Sequence, residues 1–137
     1  MKAALLFALI SLAGLVSAEA DLGETVTTVE ARWGAPVAAS PEKRQYRNGN
    51  LTLEVTYLSG ISVSEAYWKE AVPTGTKTPG FSTQEVQEYR ARYGDGQGWA
   101  SNFGATRWLR ADRLVTCTIV GDAVIFRDER HAELLRR

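Results

Sequence analysis

Few residues of this 137-residue chain carry the side chains that catalysis or metal binding usually needs. Cys117 and His131 are its single cysteine and single histidine. One thiol and one imidazole cannot by themselves complete a tetrahedral nitrogen–sulfur site. No base–nucleophile pair is recognisable around His131, which lies in a charged stretch near the C-terminus, so we expect a surface histidine there.

Carboxylates are the remaining source of acid–base chemistry. Glu54 and Glu65 fall on neighbouring predicted strands, where their side chains could approach each other as an acid–base pair. Solvated charges on strands are the commoner arrangement. The glycine-rich residues 94–98 follow a predicted helix and lack the lysine and hydroxyl of a phosphate-binding loop. We therefore expect no catalytic residue, no cofactor and no metal, and a protein that is not an enzyme.

The run Val115-Thr116-Cys117-Thr118-Ile119 alternates apolar residues with threonines. This alternation predicts a strand that places the thiol of Cys117 on its apolar face. We expect a buried structural cysteine, because free cysteine is among the most buried residue types. A single thiol cannot form an internal disulfide, so the core alone must stabilise the protein.

The first 18 residues have the three parts of a cleavable secretory signal. Lys2 gives a positive start, residues 3–16 are uncharged and rich in Ala and Leu, and small residues follow. This apolar stretch is too short to span a bilayer as a helix. Cleavage is predicted after Ala18 or, alternatively, after Ala20. We expect an exported protein, periplasmic or secreted, with no stable membrane anchor after cleavage.

The charge of the chain is balanced, with 16 basic and 16 acidic residues. Removal of Lys2 with the signal leaves 15 against 16, a net charge of −1. Such a balance gives no general attraction to nucleic acid or to anionic lipid. We therefore expect the partner to be another envelope or extracellular protein, and no nucleic acid.

Hydrophobic periodicity predicts a helix followed by three strands, twice over. In residues 19–71, Thr25 caps a helix that ends at Gly34, and strands follow around 45–47, 51–58 and 61–68. Residues 72–80, with two prolines and two glycines, form a connector. In residues 81–137, Ser82 and Glu85 form a capping box for a second helix. Strands are predicted over 106–111, 114–120 and 123–127, ahead of a C-terminal tail.

The two helix ends are alike, as Ala31-Arg32-Trp33-Gly34 and Ala91-Arg92-Tyr93-Gly94 stand sixty positions apart. The fold class predicted from this repetition is α+β. It consists of two tandem helix–three-strand modules, with an antiparallel sheet and the helices packed on one of its faces.

The first helix carries a recognisable pattern. Gly23-Glu24-Thr25, Val29 and Trp33-Gly34-Ala35-Pro36, followed by a hairpin that leads into Leu53-Glu54-Val55-Thr56-Tyr57, resemble the small SmpA/OmlA-type periplasmic domain. They also resemble the related fold of the β-lactamase inhibitory protein. The resemblance covers residues 22–65 well and the second half only loosely. It implies that Thr25 caps the helix, that Gly34 is left-handed, and that the protein acts by binding envelope proteins or by inhibiting an enzyme.

Aromatic and hydroxyl residues suggest where a partner would bind. Tryptophan and arginine dominate interface hot spots, and alternation places several threonines on one outer face of the sheet. Trp68 shares that face, whereas the pattern around Trp108 leaves its face open. The predicted partner-binding surface comprises Trp68, Trp108, Arg107, Arg110, Thr52, Thr56, Thr116 and Thr118.

We therefore predict an exported, non-enzymatic protein-binding module. One alternative is a secreted enzyme inhibitor of the same fold, which would use the hairpin tips near Asn48-Gly49 or Asp112-Arg113. A second alternative is a small enzyme that depends on carboxylates alone.

Overall fold

The computed structural model of the chain describes residues 22–70, 80–102, 104 and 106–131. The predicted signal peptide, most of the predicted connector and the last six residues of the tail lie outside this part of the chain. Within it, no helix is both long enough and apolar enough to cross a membrane.

Two helices and eight strands make up the described part of the chain. In chain order they are α1 (Val26–Trp33), β1 (Ala38–Ala39), β2 (Lys43–Asn48), β3 (Leu51–Leu58), β4 (Ile61–Lys69), α2 (Thr83–Tyr93), β5 (Trp99–Asn102), β6 (Arg107–Arg110), β7 (Val115–Val120) and β8 (Ala123–Asp128). A single 3₁₀ turn, Glu129–His131, follows β8.

The prediction of two helix–three-strand modules is wrong. Each helix is followed by four strands, and all eight strands form one antiparallel sheet in the order β1-β2-β3-β4-β8-β7-β6-β5. The sequence pattern missed β1 because two residues are too few to show alternation. It also missed β5, which lies in a segment that was expected to be a loop. The strand Trp99–Asn102 is short and lacks the β-branched residues that are typical of strands.

The sheet is continuous through its centre, where β4 pairs with β8. The four paired positions run from Ser64↔Arg127 to Tyr67↔Val124. A register shift lies between Thr56 and Tyr57 in the β3–β4 ladder, where β4 carries an extra residue. Beyond this bulge, the backbone of Ser62 exchanges hydrogen bonds of 2.8 Å with Gly23 and Glu24. The segment before α1 is thereby held to the end of β4.

The predicted helix caps are present, with one difference in detail. The side chain of Thr25 accepts a hydrogen bond from the amide of Thr28, and Ser82 and Glu85 form the complete capping box. Gly34 has φ 83° and ψ −165°, so it is not in the left-handed helical region that the resemblance implies. This conformation is essentially restricted to glycine, since a Cβ would clash with the backbone.

Both helices pack against the same face of the sheet and enclose the core with it. Trp33 of α1 and Tyr89 of α2 both contact the ring of Tyr67 on β4, at centroid distances of 6.2 and 4.7 Å. Tyr93 of α2 stacks on Phe126 of β8 at 3.8 Å. The fully buried core side chains include Val29, Tyr46, Leu53, Val55, Tyr67, Tyr93, Cys117, Val124 and Phe126.

Candidate functional site

The face of the sheet opposite the helices is called the outer face below. The aromatic contacts of α1 and α2 all lie on the other face. The strand registers place six of the eight residues predicted for partner binding on this face: Thr52, Thr56, Trp68, Arg107, Thr116 and Thr118.

The other two predicted residues, Trp108 and Arg110, lie on the helix-covered face. Trp108 pairs with Cys117, and its ring lies 4.3 Å beneath the guanidinium of Arg90. Arg110 donates to the carbonyl oxygen of Tyr93 at 2.8 Å and to both carboxylate oxygens of Asp112. Both side chains are more than nine-tenths buried, so neither can contribute to a surface on the outer face.

Cys117 is the fully buried thiol that the sequence predicts. Burial raises its pKa to about 12, against a smaller opposing effect of the nearby Arg90 charge. A thiol with such a pKa stays protonated at neutral pH and is a poor nucleophile.

The predicted threonines at the two ends of the outer face are already hydrogen bonded within the protein. Thr52 donates to Glu70 Oε1 at 2.8 Å, and the indole nitrogen of Trp68 donates to the same oxygen at 3.2 Å. The hydrogen bond from Thr52 is the main reason that the pKa of Glu70 lies below its usual value. Thr116 donates to Glu129 Oε1 at 2.7 Å. The hydrogen bond to Glu70 fixes the orientation of the Trp68 ring, which is half-buried.

The outer face of β6 to β8 contains residues that the sequence prediction did not include. Leu109, Ile125 and Val120 are apolar side chains that share this face with Arg107 and Arg127. Val120 is 57% exposed. Neither arginine has a carboxylate at salt-bridge distance among the described residues, and the buried Nε of Arg127 has no hydrogen-bond partner there. Strand alternation could have identified Leu109 and Ile125, since each lies two positions along its strand from an outer-face arginine.

We call Leu109, Val120, Ile125, Arg107 and Arg127 the β6–β8 patch.

On the β2–β3 side the outer-face cations are paired. Lys43 Nζ lies 3.8 Å from Glu54, and Arg47 lies 3.4 Å from Glu70. Both pairs are largely exposed, so their contribution to stability is small. Within residues 22–70, 80–102 and 106–131, the outer-face arginines without a carboxylate partner are thus those of the β6–β8 patch.

Glu54 and Glu65 do not form the acid–base pair considered from the sequence. Val55 pairs with Glu65, and Glu54 pairs with Ala66, so the two carboxylates project from opposite faces of the sheet. Among the described residues, no group of three histidine, cysteine, aspartate or glutamate side chains could hold a metal ion.

Glu65 forms a buried cluster with two tyrosines, called here the Glu65 cluster. The hydroxyl of Tyr93 donates a short hydrogen bond to Glu65 Oε2, the hydroxyl of Tyr67 lies 3.3 Å from the same oxygen, and the two hydroxyls are 2.5 Å apart. Glu65 Oε1 has no hydrogen-bond partner among the residues that the structure describes. Burial raises the pKa of Glu65 to about 7, which the hydrogen bond from Tyr93 and the charge of Arg32 only partly oppose.

A carboxyl group with a pKa near 7 is suited to general acid–base catalysis. Glu65, Tyr67 and Tyr93 are, however, only 1 to 2% exposed, so a substrate cannot reach them. Alternation could have identified Glu65 as an inward-facing residue, because it shares parity with Val63 and Tyr67. The expectation of a solvated charge at Glu65 is therefore wrong.

A second group of the same residue types lies beneath α1 and is called the Glu30 cluster. The hydroxyls of Tyr46 and Tyr57 are 2.9 Å apart, and Tyr46 donates to Glu30 Oε1 at 3.4 Å. Arg44 donates to the same carboxylate oxygen at 2.8 Å. The side chain of Glu30 is 29% exposed, so this carboxylate is both ion-paired and hydrated.

The two hairpin tips considered for an inhibitor lie at opposite ends of the sheet. The β2–β3 turn lies beyond the pair Leu51↔Lys69, whereas the β6–β7 turn lies beyond the pair Val115↔Asp128. The central register of β4 with β8 places these two pairs at opposite ends of their strands. A single active site could therefore receive only one of the two tips.

No family model and no curated protein matches the chain. Among solved structures, the chain is similar to a cysteine-rich secretory protein from Staphylococcus aureus subsp. aureus Mu50, with a TM-score of 0.44 and 12% sequence identity. The match covers 80% of this chain and 45% of that one, so the chain spans less than half the length of this neighbour.

Proposed function

We propose that this protein is an exported, non-enzymatic binding module whose partner is another exported protein. The partner contacts the outer face of the sheet, and the β6–β8 patch is the centre of the contact. The observation that carries the proposal is the combination, on one strand surface, of apolar side chains with two arginines that have no carboxylate partner among the described residues.

The composition of the β6–β8 patch supports a protein partner. Leu109, Ile125 and Val120 supply apolar area, which stabilises association when it is removed from water. Arginine is enriched at interfaces because its planar guanidinium forms bidentate bonds with carboxylates. Arg107 and Arg127, which no carboxylate of the described ranges pairs, therefore favour a partner surface that presents aspartate or glutamate.

Two further observations support binding over chemistry. Glu65, whose pKa is strongly raised, is closed to substrates, and Glu54 lies on the other face of the sheet. The resemblance of residues 22–65 to SmpA/OmlA-type domains is consistent with this proposal, since members of that family bind envelope proteins. The predicted signal peptide supports export.

Site-specific photo-crosslinking on cell-envelope extract tests the proposal. A benzoylphenylalanine residue replaces Leu109 in one variant and the exposed Gln87 of α2 in a matched control. We expect a discrete crosslinked protein from position 109 and none from position 87. The double variant Arg107→Glu/Arg127→Glu should abolish this crosslink, because the reversed charges repel an acidic partner.

Three results would contradict the proposal: no crosslink from position 109, an equal crosslink from both positions, or turnover of a small substrate by the purified protein. Circular dichroism of each variant verifies that the fold is retained. Because the patch lies on the outer face, none of these substitutions touches the core.

A further inference from the structure

A pocket of about 130 Å³ lies between α2 and the strand pair β6–β7, on the helix-covered face. Phe81, which precedes the Ser82 cap, and Val86 of α2 line one side of it. These two residues occupy the positions of a hydrophobic staple on either side of the helix start. Trp108 and Ile119 line it from the strands, and Arg90 and Thr83 supply its polar groups.

The size and lining of this pocket limit what it can accept. An apolar cavity of about 150 Å³ in another protein accepts a benzene molecule, so a pocket of this volume accepts one aromatic ring or a branched aliphatic group. Phe81 and Thr83 are partly or fully exposed, whereas Val86 and Trp108 are buried. The pocket is therefore open at the start of α2 and apolar at its inner end.

The charge at the pocket is unbalanced. Arg90 stacks over the ring of Trp108 at 4.3 Å, and no carboxylate of the described residues forms a salt bridge with it. Its Nε is buried and has no hydrogen-bond partner in the part of the chain that the structure describes. Arg110 lies on the same face of β6 as Trp108, and its guanidinium is hydrogen bonded to Asp112 and to the carbonyl oxygen of Tyr93. A buried donor without a partner costs stability, and an anionic oxygen would satisfy it.

We propose that this pocket binds a small apolar carboxylate, with an aromatic or branched aliphatic group against Trp108, Val86 and Ile119 and the carboxylate on Arg90. The ligand can be a free acid or the C-terminal residue of a peptide, which presents the same chemistry. This site lies on the opposite side of the sheet from the β6–β8 patch, so it does not depend on the proposed protein partner.

Titration of ¹⁵N-labelled protein with sodium phenylacetate, followed by NMR, tests the proposal. We expect saturable shifts of the Trp108 indole and of the amides of Val86 and Ile119. The neutral isostere phenylacetamide should bind at least about tenfold more weakly, because it lacks the charge that pairs with Arg90. Acetyl-Ala-Phe with a free carboxylate, compared with its amide, distinguishes a peptide C-terminus from a free acid as the source.

Variants separate charge from packing. Arg90→Gln should weaken phenylacetate binding by about tenfold and leave phenylacetamide binding unchanged, whereas Arg92→Gln, on an exposed position of the same helix, should alter neither. Ile119→Trp fills the pocket and should abolish both. If Arg90→Gln does not fold, Arg90→Met, which removes the charge and keeps an unbranched stem of similar length, gives the same comparison.

The proposal is overturned by the absence of saturable shifts up to about 10 mM phenylacetate, a concentration that corresponds to negligible affinity. It is also overturned by equal affinity for the acid and the amide, by unchanged affinity in Arg90→Gln, or by shifts confined to residues away from the pocket.

Discussion

The Glu30 and Glu65 clusters contain the same groups, one carboxylate and two tyrosine hydroxyls, in opposite surroundings. Glu30 is 29% exposed and has Arg44 at 2.8 Å, whereas Glu65 is 1% exposed and no cation of the described residues lies at hydrogen-bond distance from it. Burial raises the pKa of Glu65 to about 7. Burial, and not the tyrosine hydroxyls that the two clusters share, is the main cause of the raised pKa of Glu65.

The largest expected effect is on the pH dependence of stability. The folded state holds the Glu65 proton up to about pH 7, whereas the unfolded chain releases it near 4.5. The stabilisation is therefore complete below pH 4.5 and is lost as the pH rises to about 7. This amounts to about 3 kcal/mol, from 1.36 kcal/mol for each pH unit. Urea denaturation between pH 4 and pH 8 measures it.

Glu65→Gln should remove this slope, whatever its effect on absolute stability, because the carboxamide does not titrate. Glu30→Gln is the matched control and should keep the wild-type slope. Equal slopes in wild type and Glu65→Gln would show that another group titrates in this range.

A smaller difference is expected between the tyrosines. Tyr93→Phe removes the main hydrogen-bond donor to Glu65 and should cost about 2 kcal/mol at pH 8, where the carboxylate is charged. Tyr57→Phe removes a bond between neutral hydroxyls and should cost about 1 kcal/mol. Urea midpoints at pH 8 check the order, and an equal or larger cost for Tyr57→Phe would contradict it.

The smallest expected effect concerns the arginines near the two clusters. Arg44→Met breaks a partly exposed ion pair and should cost at most about 0.5 kcal/mol.

Arg32 forms a bidentate pair with Glu24, at 2.6 and 2.8 Å, and its charge lowers the pKa of Glu65. Arg32→Met should therefore raise the pKa of Glu65 above about 7 and extend the stability loss to higher pH, while Arg44→Met leaves it unchanged.

The sequence predicted the local features of the fold well. The caps at Thr25 and Ser82 and six of the eight strands follow from patterns that span fewer than ten residues. The missed strand β5 had no such pattern, because its pairing with β6 is determined by residues on the other strand. The number of strands in each half, and so the fold class, depended on that pairing.

The candidate sites were predicted less completely. Alternation cannot assign a face to Trp108, because each of the two faces of β6 carries one arginine and one apolar residue. The contact of Arg90 with Trp108 and that of Tyr93 with Glu65 each join α2 to a strand, and no local pattern specifies where a helix docks. The raised pKa of Glu65 follows from that docking.

The central pairing of β4 with β8 also has a consequence for the order of events during folding. Its partners, from Tyr67↔Val124 to Ser64↔Arg127, are 57 to 63 positions apart in the chain, whereas β3–β4 and β7–β8 are hairpins closed by two-residue turns. Hairpins close within microseconds, but contacts of large sequence separation must first overcome a larger entropy of loop closure. We therefore expect each half-sheet to form early and the joining of the two halves to limit the folding rate.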